Sequence, residues 1–199
     1  MLKDLLKNHE IILASGSPRR QKFFEDLEIP VKIDVRPVNE VYPKHLKKEE
    51  ITDFLSVLKA EVFKNDLLEN QILVTSDTIV YNEGKALGKP KEHTEAVKMI
   101  QSLSGKDHEV ITSVCFTSKE SQKILNHTTR VYFSELTEEE IEYYVSKFKP
   151  FDKAGGYAIQ EWIGLIGIKK IEGSYFNVVG LPTHEVYKTL KAILTTSNS

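Results

Sequence analysis

A run of ten residues in the first half of the chain, Gln71 to Val80, is the segment that most restricts the possible folds. Its sequence, Gln-Ile-Leu-Val-Thr-Ser-Asp-Thr-Ile-Val, is rich in β-branched residues and predicts a strand, which Tyr81-Asn-Glu-Gly-Lys85 turns back. Asp77 interrupts this run, and burial of an unpaired carboxylate is costly. Such an aspartate is typical of a strand that meets a cleft, as a metal ligand or a base for water. Capping of a neighbouring turn is the structural alternative.

The N-terminal region has the pattern of a strand, a turn and a helix. Ile11-Ile-Leu-Ala14 is a short apolar run, Ser15-Gly-Ser-Pro18 is a turn, and Ser17 is a good N-cap with proline at the first helical position. Arg19 and Arg20 follow, where the helix dipole disfavours each cation by about 0.3–1 kcal/mol. A bound phosphate would compensate, because the turn amides and both guanidiniums would converge on it. Two solvated surface arginines are the alternative.

The remaining pattern alternates helices and strands without repeats or an obvious linker, so we expect one mixed α/β domain over residues 1–199. Thr137 and Glu140 match a capping box ahead of a helix that Pro150 stops. The other predicted elements are a helix over Lys48 to Lys64, a helix through Ala96 and Leu103, a hairpin over Glu109 to Phe133, glycine-punctuated strands after Gly155, and a last helix opened by Pro182.

Composition excludes several classes of partner. The 27 Lys and Arg residues against 29 Asp and Glu give a formal charge of -2, which supplies no general field for nucleic acid or an anionic membrane. Cys115 is the only cysteine, which excludes an internal disulfide and suits a reducing compartment. No run of eighteen apolar residues and no signal-peptide pattern is present, so we expect a soluble, cytoplasmic protein with no membrane or nucleic-acid partner.

Four further residues are candidates, each with a structural alternative. Lys89, in Gly88-Lys-Pro90, is suited to a phosphate contact and equally to a surface turn. Lys59 lies toward the edge of an apolar helix stripe, where snorkelling from a packed face is the commoner role. Glu40 has oxygen ligands for a divalent ion, although loop glutamates are usually solvated. Gln160 can donate and accept, as reading a pyrimidine edge requires, or can be a satisfied structural residue.

The common nucleotide-binding signatures are missing from the chain. No G-x-x-x-x-G-K-S/T motif predicts a P-loop, and no G-x-G-x-x-G follows the first strand. The scattered histidines have neither metal-ligand spacing nor a partnering nucleophile. The candidates are therefore an anion site at a serine-proline-arginine turn, a strand carboxylate and separate lysines.

Taken together, these segments resemble the Maf family of nucleotide pyrophosphatases, once named for septum inhibition. The resemblance runs nearly end to end, and the order and spacing of the motifs make it specific. The matching motifs are Leu13-Ala-Ser-Gly-Ser-Pro-Arg-Arg20, Ser76-Asp-Thr-Ile-Val80, Gly88-Lys-Pro90, Leu103-Ser-Gly105, Asp152-Lys-Ala-Gly155 with Tyr157 and Ile159-Gln160, and Gly173-Ser-Tyr175 leading to Val178-Val-Gly-Leu-Pro182.

The resemblance implies a mixed-sheet α/β fold similar to inosine triphosphate pyrophosphatase, with two lobes around a cleft and frequently a homodimer. It implies hydrolysis of a nucleoside triphosphate to the monophosphate and pyrophosphate. Asp77 matches the general base, and Glu40 would act with Mg²⁺ or Mn²⁺. Ser15 and Ser17 match the anion-binding turn, and Arg20, Lys59 and Lys89 match cationic positions around the phosphates. Arg19, Thr78 and Gln160 match the branch that cleaves dTTP and UTP.

Three positions depart from the family pattern. Gly156 and Ala158 replace the more usual Ala and Gly, and Asn39 stands where an acidic neighbour of Glu40 is common, which bears on the metal role of Glu40. A non-catalytic nucleotide-binding regulator of cell division is the alternative function, although such a module would have no need of Asp77. Removal of modified nucleotides would use the same phosphate machinery and is not distinguished by the sequence.

Overall fold

The computed structural model describes residues 2–197, which form a mixed α/β fold. The strands are β1 (Glu10–Leu13), β2 (Val31–Ile33), β3 (Gln71–Asn82), β4 (Lys85–Leu87), β5 (Asp107–Thr117), β6 (Gln122–Phe133) and β7 (Ile168–Glu172). The α-helices are α1 (Leu2–Leu5), α2 (Pro18–Asp26), α3 (Glu49–Glu61), α4 (His93–Leu103), α5 (Glu138–Phe148), α6 (Trp162–Gly167), α7 (Tyr175–Val179) and α8 (Thr183–Ser197). Short 3-10 helices cover Leu6–Asn8 and Ala154–Gly156.

The strands form a mixed sheet with the order β2-β1-β3-β5-β6-β7, and β4 pairs with β3. β1 is parallel to both β2 and β3, whereas β4 is antiparallel to β3 and β7 is antiparallel to β6. A parallel neighbour needs a crossover connection, which α2 provides between β1 and β2. The predicted fold class, a mixed sheet with flanking helices, is confirmed.

The chain divides into two compact units. The first contains the chain up to Asp77, Thr112–His127 and the chain from Gly180 onward, and the second contains Thr78–Ile111 and Thr128–Val179. The division falls inside β3, directly after Asp77, and inside β5 and β6. A single domain over residues 1–199 stays a prediction, and residues 1, 198 and 199 lie outside the described part of the chain.

In the first unit, β1 is buried on both faces. Ile11 and Leu13 belong to a core cluster that also holds Phe24 of α2 and Leu190 of α8, while Ile12 belongs to a second cluster with Ala60 of α3. Strands that carry helices on both faces are continuously apolar rather than alternating, which is the pattern of the Ile11-Ile-Leu-Ala14 run. The turn that follows β1 therefore starts from a rigid, fully packed strand.

The core of the second unit contains a buried histidine. His108 is 2% exposed, its Nε2 lies 2.7 Å from the Tyr157 hydroxyl, and its ring meets Phe133 edge to face. Burial lowers the pKa of His108 to about 4 and raises the pKa of Tyr157. The imidazole is therefore neutral at pH 7 and belongs to the core.

The stability of the protein is expected to fall between pH 7 and pH 5 because of His108. The folded-state pKa is about 4 and the ordinary value is 6.5, so in this interval the unfolded chain binds more protons and folding loses free energy as the pH falls. The expected contribution is about 2 kcal/mol. Urea unfolding at both pH values measures this contribution. His108→Gln is expected to remove most of the difference, and His93→Gln, at a half-exposed residue of α4, is expected to retain it. An unchanged difference in His108→Gln would contradict the assignment.

Most of the predicted turns and caps are confirmed. Thr137 and Glu140 form the capping box of α5, and β5 and β6 are joined as a hairpin through Ser118 and Ser121. β3 and β4 are connected by a two-residue turn at Glu83 and Gly84, both with positive φ (46° and 81°). Such a turn matches the twist of the flanking strands, and glycine adopts its second position without steric cost.

Two local predictions were wrong, and a third was right in position only. The C-terminal third contains one strand, β7, together with α6 and α7, rather than a series of strands, because short glycine-spaced apolar runs do not distinguish a strand from a single helical turn. Gln160 lies in a turn, not in a strand. Ser17 occupies the N-cap position of α2, but its side chain makes no capping hydrogen bond.

Candidate active site

The turn between β1 and α2 is built to present its backbone. The Ser17 N-H donates to Ser15 Oγ at 3.3 Å, and the Gln21 side chain donates to the Ser15 carbonyl at 2.9 Å, so the turn is closed by its own side chains. Ser15 is buried, and a Cβ added at Gly16 would meet no atom within 4 Å. The backbone around Gly16 is therefore open, while an anion site at this turn stays a prediction.

Arg20 is fixed by two backbone carbonyls. Its Nε donates to the Gly180 carbonyl at 2.9 Å and its Nη1 to the Ser76 carbonyl at 3.0 Å. Burial lowers the pKa of Arg20, the charge of Asp77 acts in the opposite direction, and Arg19 lowers it further. The Gly180 and Ser76 carbonyls thus offset part of the electrostatic cost of a cation at the start of α2. The guanidinium remains charged and is held in one orientation.

Lys59 joins the two candidate carboxylates. Its Nζ lies 2.7 Å from Asp77 Oδ1 and 3.1 Å from Glu40 Oε2, and it also donates to the Ser76 carbonyl at 3.4 Å. The Lys59 and Asp77 side chains are 17% and 10% exposed, whereas Glu40 is 52% exposed. The Asp77 carboxylate is thus nearly buried, is paired with Lys59 and keeps a small exposed surface.

Neighbouring packing fixes Lys59 against Asp77. Thr75 Oγ1 donates to the Ser56 carbonyl of α3 at 2.7 Å, which ties the middle of that helix to β3 two residues before Asp77. Lys59 follows Ser56 by three residues and lies on the same side of the helix. The predicted position of Lys59, at the edge of the apolar stripe, therefore directs its ammonium to the carboxylate rather than to bulk water.

The loop that carries Glu40 is anchored by Arg36, which the sequence analysis missed. Its guanidinium donates to the Val62 carbonyl at 2.8 Å and to Asp66 Oδ2 at 2.6 Å, and it lies 4.0 Å from the centroid of the Phe63 ring. These contacts attach the loop to the residues that follow α3. Arg36 also contacts Asp34 Oδ2 at 3.4 Å, but no sequence motif marks it, since Val62 and Asp66 are 26 and 30 residues away.

The other predicted residues, Thr78, Lys89 and Gln160, lie in the second unit. Thr78 follows Asp77 directly in β3. The Lys89 turn and the Gln160 loop are joined, because the Gly155 N-H donates to the Gly88 carbonyl at 3.0 Å. Gly155 has a positive φ of 69°, and a Cβ there would come within 2.8 Å of Val80, so only glycine fits this approach.

The structure thus brings together Arg20, Glu40, Lys59 and Asp77, with Ser15 and Ser17 forming the nearby turn and Arg19 half-buried at the start of α2. The carbonyls of Ser76 and Gly180 also contribute, and neither had a sequence signal beyond its place in a motif. Among residues 2–197, no three His, Cys, Asp or Glu side chains form a group that could hold a metal. The helices within the same residues are all too short or too polar to span a bilayer.

Comparisons with known proteins show which family the chain belongs to. A family model described as Maf-like protein matches residues 10–193. A Christiangramia forsetii protein named dTTP/UTP pyrophosphatase is 87% identical, with 98% of this chain and 99% of that protein covered. A Flavobacterium psychrophilum protein of the same name is 55% identical, with 94% and 96% covered. The Staphylococcus aureus Ham1 protein shares the fold, with a TM-score of 0.51 at 15% identity over 94% of this chain and 99% of that one. By its motifs, its site and these matches, the chain belongs to the Maf-like protein family.

Proposed function

We propose that this protein is a nucleoside triphosphate diphosphatase that hydrolyses dTTP and UTP to the monophosphate and pyrophosphate. The observation that carries the proposal is the Asp77 carboxylate, 10% exposed and 2.7 Å from Lys59, in the unit that also contains Arg20 and the β1–α2 turn. The names of the 87% and 55% identical relatives support the choice of substrate. A binding module would not require a nearly buried carboxylate beside a cationic set.

In the proposed reaction, Asp77 accepts a proton from a water molecule whose oxygen attacks the α-phosphorus. The bond between the α-phosphorus and the bridging oxygen to the β-phosphorus breaks, and pyrophosphate leaves with the electron pair. Arg20 and Lys59 offset the charge on the phosphate oxygens, and the open backbone around Gly16 in the β1–α2 turn supplies N-H donors. Positioning and electrostatic stabilisation account for most of the rate in such a step.

The donor set fits a hard divalent cation that is held jointly with the substrate. Mg²⁺ is usually bound by one or two carboxylates, water and substrate phosphates, so a dedicated three-ligand cage is not required. Glu40 is the proposed protein ligand, since its carboxylate is 52% exposed; a metal would take over the oxygen that now pairs with Lys59 Nζ at 3.1 Å. When bound, Mg²⁺ or Mn²⁺ would neutralise phosphate charge and make a bound water more acidic.

The test of the proposal is a product analysis with dTTP, UTP, CTP, purine nucleotides and 7-methylguanosine triphosphate in the presence of Mg²⁺ or Mn²⁺. The expected products from dTTP and UTP are the monophosphate and pyrophosphate. Release of orthophosphate instead would contradict cleavage at the α-phosphorus. Binding of these nucleotides without turnover by either metal would favour the regulator. Light scattering on the same preparation tests whether the protein forms the homodimer that the family resemblance implies.

Metal dependence gives a separate prediction. Chelation with EDTA is expected to abolish hydrolysis, and Glu40→Gln is expected to raise the Mg²⁺ concentration for half-maximal activity on the order of tenfold, because an anionic oxygen ligand is lost. Titration of activity with Mg²⁺ measures the shift. Glu61→Gln is the matched control, since Glu61 is a half-exposed surface residue 3.8 Å from Lys64. An equal Mg²⁺ requirement in Glu40→Gln and the control would exclude Glu40 as a ligand.

A further inference from the structure

A charged network centred on the buried Lys153 supports the loop that carries Gln160. Lys153 is 8% exposed, and its Nζ lies 2.7 Å from Asp152 Oδ1 and 3.3 Å from Glu161 Oε1. The second Glu161 oxygen accepts a hydrogen bond from the hydroxyl of Tyr144, a fully buried residue of α5. Charged groups removed from water are costly unless each is paired and hydrogen-bonded, and the contacts of Lys153 and Glu161 meet that requirement.

The same Tyr144 hydroxyl also contacts Ala158, which precedes Gln160 by two residues. It accepts a hydrogen bond from the Ala158 N-H at 3.1 Å while it donates to Glu161. The Glu161 N-H donates to the Ala158 carbonyl at 3.1 Å, so residues 158–161 form a closed turn with Gln160 at its third position. One phenol oxygen therefore fixes the first and the last residue of the turn that presents Gln160.

The turn leaves the Gln160 side chain exposed while its flanks are held. Ala158 and Ile159 are buried, Ile159 and Ile163 pack in the core of the second unit, and Gln160 is exposed. No hydrogen bond joins the Gln160 amide to another side chain or backbone group within residues 2–197. A side-chain amide on a rigid turn is preorganised for a ligand, because the backbone of the turn is already ordered before the ligand binds.

The Tyr144 hydroxyl keeps its proton over the working range of pH. Burial, together with the hydrogen bond to Glu161, raises the pKa of Tyr144 above its ordinary value. The phenol is thus a donor to Glu161 at neutral and alkaline pH, and it does not act as an acid or a base. Asp152 and Lys153, on the same loop as Gln160, are the other charged groups that face this contact.

From this arrangement we infer that Tyr144, acting through Glu161 and the turn 158–161, is a positioning residue that sets which nucleobase is accepted beside Gln160. The inference rests on the proposed function, since it assigns Gln160 to base recognition. A turn held at both ends keeps the amide at one distance from the base and admits a single-ring pyrimidine. Loss of the Tyr144 hydrogen bonds lets the Gln160 amide move outward and weakens the discrimination against a larger purine.

The test compares two adjacent tyrosines of α5. Tyr144→Phe removes the bridging hydroxyl, whereas Tyr143→Phe removes the hydroxyl of a half-exposed neighbour that contacts Lys147. The ratio of kcat/KM for dTTP to kcat/KM for GTP is expected to fall about tenfold in Tyr144→Phe, through loss of a hydrogen bond that leaves its buried partners unsatisfied. The ratio in Tyr143→Phe is expected to match the wild type.

A double-mutant cycle separates positioning from general destabilisation. If Tyr144 acts through Gln160, the Tyr144→Phe change has no further effect on the ratio in a Gln160→Ala background. Independent, multiplicative effects of the two substitutions would overturn the inference. A lower Tm in Tyr144→Phe with an unchanged ratio would also overturn it. Glu161→Gln, which retains a hydrogen-bond acceptor for Tyr144, is expected to reduce the ratio less than Tyr144→Phe does.

Failure of the proposed function would be recognised separately. If the wild type cleaves no nucleotide, the same variants are compared by calorimetry with the α,β-imido analogues of dTTP and GTP. A selective loss of dTTP-analogue affinity in Tyr144→Phe would then support the positioning role without catalysis. Equal affinities of the wild type and Tyr144→Phe for both analogues would overturn it.

Discussion

Asp77→Asn is expected to lower kcat for dTTP about a thousandfold and to leave the fold intact. Removal of a general base costs typically 10²–10⁴ in rate, and asparagine keeps the size of the side chain but does not accept the proton. The Asp77 carboxylate is nearly buried against Lys59, so bulk water is not expected to replace it as the base. Because the variant loses an interaction made in the transition state, KM is expected to change far less than kcat.

The measurement is kcat and KM for Asp77→Asn beside the wild type at saturating Mg²⁺, with Tm recorded for both. Asp107→Asn is the control, since Asp107 is an exposed carboxylate 3.1 Å from Arg130 and such surface pairs contribute little. Full activity in Asp77→Asn would exclude the base role. A large increase in KM with unchanged kcat would assign Asp77 to substrate binding instead.

Lys59→Met is expected to lower kcat/KM for dTTP by about 10²–10³, the usual effect of removing a group that stabilises transition-state charge. Methionine retains much of the unbranched apolar stem but loses the ammonium that lies within 3.1 Å of both Asp77 and Glu40. The variant also leaves the nearly buried Asp77 without its cation, so a lower Tm is expected as well. Both effects come from one charge.

Lys59→Arg separates charge from geometry. It keeps the positive charge but presents a planar guanidinium, so we expect activity between those of the wild type and Lys59→Met. Lys22→Met is the matched control, because Lys22 is an exposed residue that forms only surface ion pairs with Glu25 and Asp26. Equal activities of Lys59→Met and the wild type would remove Lys59 from the proposed mechanism.

Local chemistry explains which elements were predictable. The capping box of Thr137 and Glu140, proline at the first position of α2 and the stop at Pro150 each depend on neighbouring backbone groups, and each is present. β2 has only three residues after Pro30 and is stabilised by its pairing with β1, so no local signal indicated it. The short helices α6 and α7 were missed for the same reason, since packing rather than periodicity determines runs of five or six residues.

The site divides in a similar way. The types and spacing of Arg20, Asp77, Lys59 and Glu40 pointed to anion chemistry, and the motifs indicated the family. The sequence did not indicate that Lys59 would contact both carboxylates, because that depends on the tie between Thr75 and Ser56. Nor did it predict that Arg20 would be held by the carbonyls of Ser76 and Gly180, which lie 56 and 160 residues away.

The sequence by itself therefore determined the mixed α/β class, the strand that bears Asp77, the strand-turn-helix arrangement of β1 and α2, and the family. Each of these depends on residue type and on contacts between near neighbours in the chain. Only the tertiary structure decided which charges pair and which carbonyls orient Arg20. It also decided that Tyr144 of α5 supports the turn that carries Gln160. The physical reason is that these contacts join groups distant in sequence, and their strength depends on burial, which only the packed fold creates.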